Sequence, residues 1–255
     1  MDLPQNKFKA ALKSGQQQIG LWNTIGGDTV PEALSGSGFD WLVVDTEHSP
    51  TDVPGVLTAL QQIEAYPKTS AVVRPAWNDT VTIKRILDFG AQTILVPYVQ
   101  NKEEAEAAVR ATRYPPDGVR GVAGGTRAGR YGRVPNYTAR ANDEICLLVQ
   151  VETTYALTQL EAIATTPGVD GVFIGPADLA TSMGYPGEAN HPAVQDKVEE
   201  TIISLKSLGV PAGILATNKD FARRCIAAGS TFTAVATDMG LLVAAADALA
   251  AEFKL

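Results

Sequence analysis

Eight short apolar runs, each followed by a stretch with helical spacing, are what most restrict the fold of this chain. The runs are 19–24, 39–45, 69–74, 93–96, 145–151, 170–175, 211–215 and 232–236. Each is too short for a buried helix and has the continuous apolar character of a parallel strand covered on both faces. The spacing predicts helices at 29–37, 52–65, 79–89, 102–112, 153–165, 192–208, 218–228 and 240–253, with a short one after Asp178. A leading helix at 5–14 is placed to plug the bottom of a barrel. Doubly wound sheets rarely alternate this evenly, and 255 residues suit one α/β domain of the TIM (β/α)8 barrel type. No linker divides residues 1–255. Only 114–142, rich in Gly and Arg, lacks a period and reads as a long functional or assembly loop.

Charge and hydropathy remove several classes of function. A formal net charge of −7 argues against nucleic acid or an anionic membrane as partner. No run approaches the roughly 18 apolar residues of a membrane span. The opening MDLPQNKFKAALKSGQQ has no apolar core of a signal peptide, which points to the cytoplasm. Cys146 and Cys225, with no CxxC, read as buried thiols.

In such barrels the chemistry lies at the C-terminal ends of the strands. There the chain places Trp22, then Asp45, Glu47 and His48, then Arg74, Gln150 and Glu152, Gly175, Pro176, Ala177 and Asp178, and Leu215. Two runs, ICLLVQVE and GVFIGPAD, end in the carboxylates Glu152 and Asp178. Two hard oxygen ligands at one rim suit a divalent cation that keeps positions open for water and substrate. The same acids could instead cap the helices that follow them. His48, close in sequence to Asp45, is a candidate general base whose tautomer that acid would fix. His191 has no such context. Arg74 ends an apolar strand, where its guanidinium suits a carboxylate or enolate oxygen, or simply snorkels at the rim. No strand ends in lysine, so imine chemistry is not expected.

The segments VVDTEHSP, VVRP, LVPYVQ, VQVET and IGPADL, in this order, resemble the HpcH/HpaI family of metal-dependent pyruvate aldolases. That family includes 4-hydroxy-2-oxoheptanedioate aldolase and the 2-keto-3-deoxy sugar acid aldolases. The resemblance spans about residues 19–240. It implies a divalent ion (Mg²⁺, Mn²⁺ or Co²⁺) held by Glu152 and Asp178, with Gln150 and the backbone at Ala177 and Asp178 touching a 2-oxo acid. It gives His48 the role of base, directly or through a bound water, and pairs it with Asp45. It gives Arg74 the stabilisation of the enolate, and Asp88 the support of the histidine, possibly from a neighbouring subunit. The activity it implies is reversible cleavage of a 4-hydroxy-2-oxo acid to pyruvate or hydroxypyruvate and an aldehyde. It also implies a homo-oligomer, commonly a hexamer, whose last helix is exchanged between subunits. Arg127 and Arg130 match a variable arginine-bearing loop and would bind an acidic acceptor or make subunit contacts. The rivals are a CoA-ester lyase of the citrate-lyase β type and a non-catalytic metabolite-binding barrel.

Overall fold

Each apolar run becomes a strand whose alternate side chains face opposite ways. The computed structural model describes residues 1–254. Its strands are β1 (Gln18–Asn23), β2 (Trp41–Asp45), β3 (Ser70–Arg74), β4 (Thr93–Val96), β5 (Cys146–Val151), β6 (Gly171–Ile174), β7 (Ala212–Leu215) and β8 (Ser230–Thr237). They pair in parallel and in chain order, and β8 closes on β1 through Gln18 opposite Phe232. This is the eightfold barrel that the alternation predicts.

The helices follow in the same rhythm. They are α1 (Lys7–Lys13), α2 (Val30–Ser35), α3 (Val53–Glu64), α4 (Thr80–Asp88), α5 (Lys102–Thr112) and α6 (Tyr137–Glu144). After β5 come α7 (Thr154–Thr158), α8 (Leu160–Ala164), α9 (Pro176–Ser182), α10 (Pro192–Ser207), α11 (Lys219–Ala228) and α12 (Asp238–Phe253). Two features differ from the sequence reading. The span 114–142 is not irregular throughout, because a 3₁₀ turn at Arg127–Gly129 and the start of α6 lie within it. The single helix expected at 153–165 is two, α7 and α8, broken at Gln159, whose backbone (φ −105, ψ 8) leaves the helical region.

Alternation sorts the apolar side chains into two cores. Leu42, Val44, Val73, Leu147, Val149 and Val151 face outward and pack under the helices. Trp41, Val43, Val72, Cys146, Leu148, Phe173 and Phe232 face inward and fill the barrel. Helix α1 closes the lower end, as its sequence position suggests. Phe8 is fully buried there, edge-on to Trp41 and Phe232 with ring centroids 5.8 Å apart in both pairs. Gly20 makes room for these rings, since a Cβ on it would lie 2.2 Å from the Trp41 indole. Toward the upper end the inward positions turn polar, and that change builds the site.

Candidate active site

Counting by twos from the inward-facing Trp41, Val72 and Cys146 reaches Asp45 on β2, Arg74 on β3, and Gln150 and Glu152 at the end of β5. All four are buried, although three are charged at neutral pH in water. Such groups persist inside only when partnered.

Asp45 and Arg74 are direct partners in the parallel register of β2 and β3. Arg74 donates from Nε to Asp45 Oδ1 and from Nη2 to Oδ2, each at 2.8 Å. The Trp22 indole N–H (3.3 Å) and the Glu47 backbone N–H (3.0 Å) also donate to Asp45. Burial alone would raise the Asp45 carboxyl. The bonds and charge of Arg74 outweigh it and hold the group below its ordinary value. The guanidinium in turn lies 4.8 Å above the Trp22 ring. Arg74 is therefore built in and does not snorkel.

Asp45 does not contact His48. Its oxygens face into the barrel and are taken, whereas the chain beyond β2 turns outward and leaves the His48 side chain 69% exposed. The carboxylate beside His48 is Glu47, with Oε1 3.8 Å from Nε2. The other oxygen of Glu47 lies 2.7 Å from Arg74 Nη1. Burial pushes the Glu47 carboxyl up, against the pull of Arg74 and His48, and Asp45 and Asp178 push it the same way.

Glu152 is almost completely buried and accepts hydrogen bonds from the Tyr98 backbone N–H (2.8 Å) and the Gln150 side-chain amide. Tyr98 supplies that N–H from a left-handed conformation (φ 55), uncommon for a residue with a side chain. Burial, then the charges of Asp178 and Glu47, push the Glu152 carboxyl up to about 7. Glu152 does not cap the next helix. Thr153 does, accepting from the Ala156 N–H at 3.0 Å. Asp178 is likewise no N-cap: Pro176 starts α9 two residues earlier, and Asp178 sits exposed in its first turn. There a negative charge meets the favourable end of the helix dipole. Gly175 joins the two acids. A Cβ on it would lie 2.3 Å from Glu152 Oε2, so only glycine lets the chain pass this close.

The donor set fits a hard cation. Burial and the charges of Asp178 and Glu47 raise the proton affinity of Glu152, burial with the charges of Asp45 and Asp178 raises that of Glu47, and the buried Gln150 Oε1 beside Glu152 is an acceptor with no donor among the described residues. Among the described residues no group of three or more His, Cys, Asp or Glu side chains is placed to hold a metal ion by itself, so an ion here has at most two such protein ligands. Glu152 and Asp178 would thus leave positions for water and substrate.

The remaining sequence-chosen residues divide between the two ends. Trp22, Gln150, Gly175, Pro176, Ala177 and Leu215 lie at the upper rim, with Leu215 half-buried against the inner core. Asp88 ends α4 and so lies at the opposite end, where it pairs with the fully buried Arg120 at 2.7 Å. Within one chain it cannot meet His48 across the length of a barrel strand. Arg127 and Arg130 are also at the lower end, both paired with Glu64, and Arg127 donates to the Phe89 carbonyl at 2.9 Å. His191 caps α10 and stacks on Tyr185. Sequence reasoning gave no role to Tyr98 or Glu47. Glu47 had a legible signal, being an acid two residues past a rim strand; a backbone N–H such as that of Tyr98 has none.

Comparison with known proteins finds relatives along nearly the whole chain. A family model described as HpcH/HpaI aldolase/citrate lyase matches residues 18–245. A pyruvate aldolase of Rhizobium etli is 58% identical over 253 residues, covering 99% of each chain. A hydroxypyruvate/pyruvate aldolase of Sagittula stellata is 55% identical over 254 residues, covering 100% of each. The crystal structure of an HpcH/HpaI aldolase/citrate lyase family protein from Burkholderia cenocepacia superposes with a TM-score of 0.93 at 38% identity, covering 98% of this chain and 100% of that one.

Proposed function

Since the chain belongs to the HpcH/HpaI aldolase/citrate lyase family, we propose that it cleaves 4-hydroxy-2-oxo acids reversibly to pyruvate, or hydroxypyruvate, and an aldehyde. It is a carbon–carbon lyase. The observation that carries the reading is the buried Glu152 beside Asp178, two acids freed from capping duty at the rim where Arg74 and His48 also stand.

The family's divalent ion, for which we propose Mg²⁺, Mn²⁺ or Co²⁺, would be held by Glu152 and Asp178, and when bound it supplies Lewis-acid polarisation of the 2-oxo group. The chain's own residues do the rest. Asp45 uses two of the five guanidinium N–H groups of Arg74, and those left on its terminal nitrogens face the oxygen on which enolate charge develops. Trp22 beneath the guanidinium keeps it in plane. His48, exposed at the mouth, takes the C4 hydroxyl proton; the C3–C4 bond breaks, its electrons pass into the enolate, and the aldehyde leaves. In the other direction His48 takes a C3 proton from pyruvate. Gln150 and the backbone at Gly175–Asp178 contact the oxo acid, and Trp22, Pro176 and Leu215 shape the space around it.

The chain acts as a homo-oligomer, a hexamer in our reading, through α12. That helix leaves Met239, Leu241, Leu242, Val243, Leu249 and Phe253 exposed, an apolar surface suited to exchange with a neighbour. A neighbour is also the one route by which Asp88 supports His48. No helix among the described residues is long and apolar enough to cross a membrane. The free thiols Cys146 and Cys225 suit the reducing cytoplasm.

The test is deuterium exchange into the methyl group of pyruvate, followed by NMR, with chelator-treated protein and with each ion added. Exchange that requires a divalent ion and disappears in His48→Ala is expected. Its absence with every ion would remove the aldolase reading.

A further inference from the structure

His48 has no partner in Asp45, and this leaves open what holds the base in place. Asp45 faces inward and is consumed by Arg74, Trp22 and the backbone of Glu47. The carboxylate that does reach His48 is Glu47. It also reaches Arg74, so one side chain spans the two groups that must act together on the substrate. Its geometry is specific to that task. The Glu47 side chain is only 14% exposed, with Oε2 2.7 Å from Arg74 Nη1 and Oε1 3.8 Å from His48 Nε2. Its Oε2 lies off the N–H directions of Arg74, so the contact is an ion pair and not an aligned hydrogen bond. The carboxylate thus presses on Arg74 without using up a donor that the substrate needs.

We propose that Glu47 is a positioning residue that braces Arg74 against Trp22 and orients the His48 ring. The proposal rests on the aldolase reading and adds to it a residue that the reading does not use. Of the two ring nitrogens, Nε2 faces Glu47. A carboxylate there favours the tautomer with hydrogen on Nε2 and leaves Nδ1 as the proton acceptor. Catalytic contacts are commonly long before substrate binds, so a separation of 3.8 Å is within the range from which such a contact forms. On Arg74 the effect is mechanical. Asp45 grips one edge of the guanidinium through Nε and Nη2, and Glu47 holds the far nitrogen, Nη1. With both in place the plane cannot swing off the Trp22 ring 4.8 Å below.

The test uses E47Q, which keeps the size of the side chain and removes its charge. The chain has three tryptophans, so incorporation of 5-fluorotryptophan gives three fluorine resonances, assignable by single replacement. The Trp22 resonance is expected to move in E47Q, because the guanidinium above it relaxes, while those of Trp41 and Trp77 stay. In the same protein, the exchange of pyruvate's methyl protons at saturating pyruvate is expected to fall about 10- to 100-fold, with KM raised several-fold as Arg74 loses its brace. A purely structural residue would move all three resonances or none. A Trp22 resonance that does not move, or an exchange rate within twofold of wild type, overturns the proposal. If E47Q does not fold, E47D, which keeps the charge but shortens the reach, is judged by the same two readings. Wild-type protein that exchanges no pyruvate protons would defeat the aldolase reading, while the fluorine resonance, which needs no turnover, still decides the contact.

Discussion

The two ends of the barrel follow one rule of alternation and reach opposite chemistry. At the lower end the inward positions carry Trp41, Cys146 and Phe232, sealed by Phe8 from α1. Six residues further along β5, past its last strand residue, the same inward-facing row carries Glu152. The lower end is stabilised by apolar area removed from water. The upper end holds Asp45, Arg74 and Glu152 in nearly complete burial, with a single arginine as counter-charge. Burying Glu152 beside other carboxylates costs stability, and it displays the cost by holding its proton up to about 7. One strand thus anchors the fold at its start and, in the proposed reading, carries the chemistry at its end.

The sharpest way to break this comparison is to remove function at the top without touching the fold. Glu152→Gln should reduce pyruvate exchange by at least 10² to 10³, roughly the loss of one preorganised electrostatic group. Its unfolding midpoint in urea should stay the same or rise, because a buried charge is gone. A clear loss of stability would mean that Glu152 is a structural acid. The converse change is Phe8→Ala. Emptying that fully buried site should cost about 3–5 kcal/mol, as large aromatic deletions do. The kcat of the protein that remains folded should stay near wild type. A large drop in kcat at normal stability would mean that the lower end reaches the site.

Much of this division is legible in the sequence. The runs ICLLVQVE and TSAVVR show by composition alone where apolar strand gives way to a polar rim, and the structure keeps Glu152 and Arg74 there. What sequence cannot supply is which rim groups touch. Proximity in sequence joins Asp45 to His48, but a pleated strand sends Asp45 inward and lets the chain carry His48 out. The partner of Asp45 is set by strand register, Asp45 opposite Arg74 across a gap of 29 residues. Helix α6 escapes notice because its sequence, YTARANDE, is polar and buries only Ala141. The break at Gln159 leaves no mark, since glutamine is a good helix former.

A smaller effect follows from the titration of Glu152. In metal-free protein its carboxyl is raised to about 7 from an ordinary 4.5, so between those values the folded state keeps a proton that the unfolded chain has lost. Stability must then fall as pH rises through that window, by on the order of 3 kcal/mol when complete. Glu47, also raised, acts in the same direction. Asp45, which is lowered, adds stability that is lost only at more acid pH, below the window. Urea unfolding at pH 5 and pH 8 in chelator measures the slope. Glu152→Gln should flatten it, and a divalent ion should offset the loss at pH 8 by holding the carboxylate ionised. Equal stability at the two pH values in chelator would refute the account.

The finest test separates two adjacent residues. Thr153 caps α7 through its hydroxyl, whereas Glu152 makes no bond to that helix and turns instead to the Tyr98 N–H and Gln150. Thr153→Ala should therefore cost about 1 kcal/mol, the usual value of an N-cap. The Thr153 hydroxyl also donates to Gln100 Oε1 at 2.6 Å, so Thr153→Ser, which keeps both contacts, should recover most of that loss. Because neither contact touches the acids, pyruvate exchange per folded molecule should change by less than about threefold in Thr153→Ala, a difference worth under 1 kcal/mol. If exchange instead fell as far as in Glu152→Gln, the capped turn and the carboxylate would be one unit, and the separation of fold from function along β5 would fail at its closest pair.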